Sequence, residues 1–216
     1  MSDSIRAVLW DFGGVFTTSP FLAFNRYEAE QGLPKDFIRQ LNARNPETNA
    51  WALLERSDVS VDDFCPLFEA EARELGQSLS GRAVLDLLAG QMQPQMVTAL
   101  KRVRERYKTA CLTNNVRSGK GPGMARSPEL AAQVAEVMAL FDAVVESSKV
   151  GVRKPETRFY EIACETLEVA PNEAVFLDDL GINLKPARAL GMTTIKVGDA
   201  DAAIAELGQV LGMELA

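Results

Sequence analysis

IRAVLWDFGGVF, residues 5–16, frames the reading of the whole chain. From Ile5 to Trp10 it is a short apolar run rich in strand formers, broken only by Arg6. The run stops at Asp11-Phe12-Gly13-Gly14, where two adjacent glycines permit a tight turn. The same theme returns later in the chain. After Gln93-Pro94, apolar strand-like runs at 109–112, 143–145, 174–177 and 193–197 alternate with helical periodicity at 96–106, 127–140, 155–167, 183–190 and 200–211. Five strands separated by helices of this length predict an α/β fold of three layers, Rossmann-like, with a mostly parallel sheet covered on both faces.

Between the first strand and the rest the pattern differs. From Phe21 to Leu88 apolar residues recur at helical spacing, as in Trp51, Leu54 and then Val61, Phe64, Leu67, Phe68. Pro46-Glu47 and Ser60-Val61-Asp62-Asp63 read as helix starts, with Ser60 as the cap and acids in the first turn. No strand is expected there. The chain is therefore divided into a core of residues 1–18 and 91–216 and an inserted helical block of residues 19–90, lying above the C-terminal strand ends. Phe24, Trp51 and Phe64 are assigned to the packing of that block rather than to pocket walls.

Composition narrows the chemistry. The 216 residues are 47% hydrophobic and 25% charged, sufficient for a sizeable core. Thirty acidic residues against 23 basic ones leave a formal charge of -7, which argues against a nucleic-acid or anionic-membrane surface. Histidine is absent, so Ser-His-Asp and Cys-His catalysis and His-ligated zinc are excluded. Cys65, Cys111 and Cys164 form no CxxC pair and read as reduced, packed side chains. There is no membrane-length apolar run and no export-type N-terminal segment, so a cytoplasmic location is expected, as a monomer or homodimer.

Polar residues gather where strands end: Asp11 after the first, Thr113-Asn114-Asn115 after the second, Asp178-Asp179 after the fourth. In a parallel open sheet these ends line the crevice that binds ligands. The set suits attack on a phosphate ester. Asp11 supplies a nucleophilic carboxylate. Asp11, the Gly13 carbonyl and Asp179 are hard oxygen donors of the kind Mg²⁺ prefers. Thr113 and Asn114, the latter through backbone or side-chain N–H, suit phosphoryl oxygens, and Lys154 adds a positive charge. Each also has an ordinary reading: turn chemistry for Asp11, capping for Thr113-Asn114, a solvated surface residue for Lys154. Asp178-Asp179 resists this, because adjacent like charges at a strand end are costly without a counter-ion. Asn183, four residues past Asp179, either orients Asp179 or caps the next helix. The loop from Arg117 to Gly123 combines glycines with cations but lacks the order of a nucleotide P-loop, and is read as a surface excursion.

The segments VLWDFGGVF, CLTNN, GVRKPE and VFLDDLGINLKPARALGM together resemble the haloacid-dehalogenase-like (HAD) hydrolases. The last two are similar to the N-terminal phosphatase domain of soluble epoxide hydrolases and the related domain of acyl-CoA dehydrogenase family proteins. The resemblance covers about residues 5 to 20 and 94 to 200. It implies a HAD core with a helical cap that closes over the site and selects substrates. It implies Asp11 as nucleophile, Thr113 and Asn114 as phosphoryl ligands, Lys154 as the stabilising cation, and Asp179 with the Gly13 carbonyl as Mg²⁺ ligands, supported by Asp178. The implied activity is phosphatase action on a small phosphorylated metabolite through an aspartyl-phosphate.

One position departs from the family. Most family phosphatases carry a second aspartate two residues after the nucleophile as general acid and base, whereas this chain has Gly13. Asp178, or Glu28, Glu30 or Asp58 of the helical block, is a candidate substitute. The same gap leaves two alternatives: a metal-independent 2-haloacid dehalogenase, which needs no protonated leaving oxygen, and a non-catalytic phosphometabolite-binding protein. The paired acids favour the metal-dependent phosphatase.

Overall fold

The computed structural model describes residues 5–116, 125 and 127–215. Among these, five strands form one parallel sheet: β1 (Ala7–Trp10), β2 (Lys108–Thr113), β3 (Ala143–Glu146), β4 (Ala174–Asp178) and β5 (Thr193–Lys196), in the order β3-β2-β1-β4-β5. β1 is central, and all four of its residues are fully buried. That explains why it reads as a continuous apolar run rather than an alternating one.

Alternation reappears in which face each side chain serves. Val8, Trp10, Cys111, Val175, Leu177 and Ile195 pack on one face against helices α6 (Pro94–Val103), α7 (Pro128–Met138) and α11 (Ala200–Leu211). Ala7, Leu9, Ala110, Leu112, Val145 and Phe176 pack on the other against α9 (Thr157–Leu167) and α10 (Gly181–Ala189). Each fully buried large apolar side chain contributes about 1.5–3 kcal/mol relative to exposure. The three-layer expectation therefore holds, and the sheet is parallel throughout.

A separate apolar cluster lies in the helical block, built by α1 (Phe21–Gln31), α2 (Phe37–Ala43), α3 (Ala50–Arg56), α4 (Val61–Glu74) and α5 (Gly81–Asp86). Phe24 and Phe64 are in its centre, and Trp51 packs against Phe64 and Phe68. Leu67, on the same helical repeat, is exposed. Ser60 caps α4, its Oγ accepting the Asp63 N–H at 3.1 Å, with Asp62 and Asp63 in the first turn. The helix start expected at Pro46-Glu47 is a turn instead. α3 begins three residues later, because Asn49 has a side chain that caps it by accepting the Ala52 N–H at 2.8 Å, which Pro46 and Glu47 do not supply. Of the cysteines, Cys111 and Cys164 are buried and Cys65 is half-buried. No described helix is long and apolar enough to cross a membrane.

The chain leaves and re-enters the sheet layers through two paired strands of backbone. Thr17 and Met92 form an antiparallel bridge, the Thr18 N–H donates to the Gln91 carbonyl, and the Gln93 N–H donates to the Phe16 carbonyl. Gly90 belongs to this crossing: a Cβ there would stand 2.3 Å from the Thr18 carbonyl oxygen. Gly90→Ala is therefore expected to overpack the crossing at a cost of about 1–3 kcal/mol, read as a fall of several degrees in the melting temperature.

Candidate active site

β1 and β4 are adjacent and in register, with Trp10 opposite Leu177 and the Asp11 N–H donating to the Leu177 carbonyl at 2.8 Å. The order of strands reverses direction here, β2 following β1 on one side and β4 lying on the other, so the crevice of the sheet opens beside these ends. Asp11, Asp178 and Asp179 converge in it, each offering an oxygen within 4.8 Å of the others. Lys154 joins them from the loop between α8 (Ser147–Val150) and α9. Its Nζ lies 2.7 Å from Asp11 Oδ1 and 2.9 Å from Asp178 Oδ2, and its side chain is 1% exposed. The surface-lysine reading is thereby excluded.

Each residue is held by local structure. Asp11 Oδ1 also accepts the Phe12 N–H at 2.6 Å. Asp179 Oδ2 accepts from Ser19 Oγ at 3.3 Å, at the mouth of the helical block. Gly14 lets Asp179 approach the turn after β1: it adopts φ +77°, and a Cβ would stand 2.3 Å from Asp179 Oδ2. Gly13 is exposed and has nothing within 4 Å of a Cβ position. Thr113 closes β2, buried, at the same edge of the sheet.

Two expectations for side chains need correction. Asn183 does not orient Asp179, nor does it cap a helix. α10 begins at Gly181, which puts Asn183 inside its first turn, and its Nδ2 lies 3.0 Å from both oxygens of Asp178. Tyr160 in turn donates to the Asn183 carbonyl at 2.7 Å. The Asn114 side chain is turned away from the carboxylates toward the backbone of Lys154: its Oδ1 accepts the Lys154 N–H at 2.9 Å and its Nδ2 donates to the Lys154 carbonyl at 3.0 Å.

The candidate substitutes for a general acid have these surroundings. Glu28 is buried in the helical block, where it accepts the Asp36 and Ile38 N–H groups. Asp58 pairs with Arg56, and Glu30 is exposed. Asp178 is fully buried and is held by Lys154, Asn183 and the Leu180 N–H at 2.8 Å. The loop from Arg117 to Gly123 lies outside the described residues.

Several supporting residues were not found from the sequence. Asn115, buried, donates to Glu146 Oε2 at 2.6 Å, its N–H donates to Ser147 Oγ at 3.0 Å, and its Oδ1 accepts the Ser148 N–H at 3.3 Å. This network ties the loop after β2 to the end of β3. The Asn115 side chain was visible as a polar residue at a strand end, but its partners lie 31 to 33 residues away and leave no local signal.

Electrostatically the cluster is unbalanced. Three carboxylates face one ammonium, leaving an excess of two negative charges when all are ionised. Burial pushes the Asp11 carboxyl well above its usual range, Lys154 pulls it back, and Asp178 and Asp179 push it up again. Burial raises Asp179 to about 6, with the Asp178 charge adding to it. For Lys154 burial acts against the charged form, but Asp11 and Asp178 outweigh it and keep the ammonium protonated. A hard divalent cation fits this donor set: oxygen ligands only, and a charge that offsets the excess. The cluster is positioned to hold a metal ion.

Residues 5–191 match the family of haloacid dehalogenase-like hydrolases, and the chain belongs to it. It is 30% identical to bifunctional epoxide hydrolase 2 of Sus scrofa over 98% of its own length and 40% of the relative's. It is 31% identical to a phosphatase of Mycobacterium tuberculosis (strain CDC 1551 / Oshkosh) over 88% of its length and 85% of the relative's. The fold is similar to that of a solved HAD-like family hydrolase from Porphyromonas gingivalis, with a TM-score of 0.62 at 20% identity, covering 97% of this chain and 99% of the other. The chain thus spans about two-fifths of the length of the epoxide hydrolase it matches.

The raised Asp179 gives a testable pH dependence. Its folded-state value, about 6, lies above an unfolded value near 4, so the folded chain binds the extra proton and stability falls as pH rises between them. A bound cation offsets that loss only where Asp179 is ionised. Any melting-temperature increase produced by a divalent cation is therefore expected to be largest above about pH 7 and to shrink below about pH 6, as measured by calorimetry across that range.

Proposed function

We propose that this hydrolase is a Mg²⁺-dependent phosphatase acting on a small phosphorylated metabolite through an aspartyl-phosphate. One observation carries the reading: the carboxylate of Asp11 faces a buried ammonium and two further carboxylates at the sheet's crevice. The similarity to a mycobacterial phosphatase over most of both chains supports it. Asp11, Asp179 and the Gly13 carbonyl would hold the cation, which would neutralise phosphate charge and polarise the phosphoryl oxygens.

The chain's own groups then divide the work. An Asp11 oxygen attacks phosphorus, the ester P–O bond breaks, and the leaving oxygen takes a proton from solvent. Water next attacks the phosphorus, the bond to Asp11 breaks, and inorganic phosphate leaves with the carboxylate restored. Lys154 opposes the rise in proton affinity that burial gives Asp11 and screens the incoming phosphate. Thr113, by its hydroxyl, and Asn114, by its backbone N–H, receive phosphoryl oxygens. Asp178 and Asn183 hold Lys154 in place. Residues 19–90 act as a cap that excludes water during the reaction.

Without an acid at position 13, substrates whose leaving groups need little protonation are favoured. Asp11→Asn is expected to reduce hydrolysis of p-nitrophenyl phosphate to background while the far-UV circular dichroism stays that of the folded chain, and excess EDTA is expected to abolish hydrolysis by the wild type. Halide release from 2-chloropropionate in EDTA, with no phosphatase activity, would overturn the reading in favour of a dehalogenase.

Gly13→Asp tests the missing acid directly, because the site has open space for the side chain. Turnover of an alkyl phosphate is expected to rise relative to p-nitrophenyl phosphate, by up to about 10²-fold, in steady-state assays.

A further inference from the structure

Glu55 belongs to α3 in the helical block, yet two of its three hydrogen-bond donors come from the sheet layers. Its Oε1 accepts the indole N–H of Trp51 at 3.0 Å. Its Oε2 accepts Asn114 Nδ2 at 3.0 Å and Arg153 Nε at 2.5 Å. The carboxylate and guanidinium are 12% and 15% exposed, so the pair is largely withdrawn from water. Arg153 also donates to the Pro46 carbonyl, and Ser57 Oγ donates to the Ser148 carbonyl, so the contact is reinforced on both sides.

Asn114 is the link onward. A carboxylate only accepts, so Glu55 requires the amide nitrogen of Asn114 to face it. That orientation turns Oδ1 toward the Lys154 N–H and leaves Nδ2 shared between Glu55 and the Lys154 carbonyl. Flipping the amide would break both bonds to Lys154. Lys154 in turn carries the ammonium that sits between Asp11 and Asp178. The path is continuous from a helix of the inserted block to the lysine of the site, and every step is a hydrogen bond or ion pair.

We propose that Glu55 is a positioning residue that makes the placement of the Lys154 ammonium depend on the helical block lying against the sheet layers. With the block seated, the Asn114 amide is locked and Lys154 is held against Asp11. With it withdrawn, the amide keeps only its two bonds to the Lys154 backbone, and the anchor of the lysine is weakened. The catalytic use of this link rests on the phosphatase reading, whereas the link itself does not. Misplacing a charged group by about 1 Å can cost about 10²-fold in rate, which sets the scale.

The test uses the full chain with Glu55→Ala and Glu55→Gln. By hydrogen exchange, the Lys154 amide is expected to exchange about tenfold faster in Glu55→Ala, the loss of roughly one hydrogen bond, while amides of β1 and β4 keep their protection. Trp51 emission should shift with the loss of its indole acceptor. With Mg²⁺ and p-nitrophenyl phosphate, kcat is expected to fall by about 10- to 100-fold with little change in KM, and Glu55→Gln, which retains an acceptor oxygen, should recover part of it. Unchanged Lys154 protection in the variants overturns the proposal, as does wild-type kcat in a variant whose Lys154 amide has lost protection. If Glu55→Ala does not fold, Glu55→Gln decides by the same exchange measurement. If the wild type hydrolyses no phosphate ester, the phosphatase reading fails separately, and the exchange result alone judges the link.

Discussion

A buried ammonium between two buried carboxylates is the interaction on which the arrangement of the site depends. Asp11 follows β1 and Asp178 ends β4, and both strands are forced into the interior of the sheet by their apolar sequences. Packing alone would therefore bring two negative charges together in a region shielded from water. Lys154 makes that tolerable, at 2.7 and 2.9 Å from the two groups. Removing one partner of such a set typically costs about 3–5 kcal/mol, because an uncompensated charge stays behind. Stability and chemistry thus share the same three side chains. Asp179 is left outside this balance, and burial, with the Asp178 charge added, raises its proton affinity.

The sheet and the carboxylates were legible from the sequence because both are encoded locally. Apolar runs of four residues mark β1 and β4, and Asp11 and Asp178-Asp179 follow them directly. What was illegible depends on separation along the chain or on a shift of one or two positions. Asn114 and Glu55 are 59 residues apart, and Arg153 and Glu55 are 98 apart. Neither pairing leaves a periodic trace. Asn183 shows the second kind of failure. A helix beginning at Gly181 rather than Asn183 rotates that side chain from Asp179 to Asp178. Likewise Glu28 and Asp58 were legible as acids of the helical block, but their direction was not, and both are spent on local backbone or a neighbouring arginine.

The two glycines after Asp11 look alike in sequence and differ in physical role. Gly14 is required by a left-handed backbone and by the close approach of Asp179, which leave no room for a Cβ. Gly13 has neither constraint. Open space surrounds it, so the missing side chain there is not demanded by packing. Packing does not forbid an acid at this position, and its absence bears on which esters the proposed reaction can cleave.

The paired crossing at Thr17 and Met92 has a wider meaning for how such a chain is assembled. Because outgoing and returning backbones touch, a short turn at that point would complete the path from the first strand to α6. The 70-odd residues beyond it, about a third of the chain, hang from a single narrow neck. The strand order is set by residues outside this appendage. The carboxylates and their lysine lie on the sheet side of that neck, and the contacts of Glu55 and Ser57 help to join the appendage to that side.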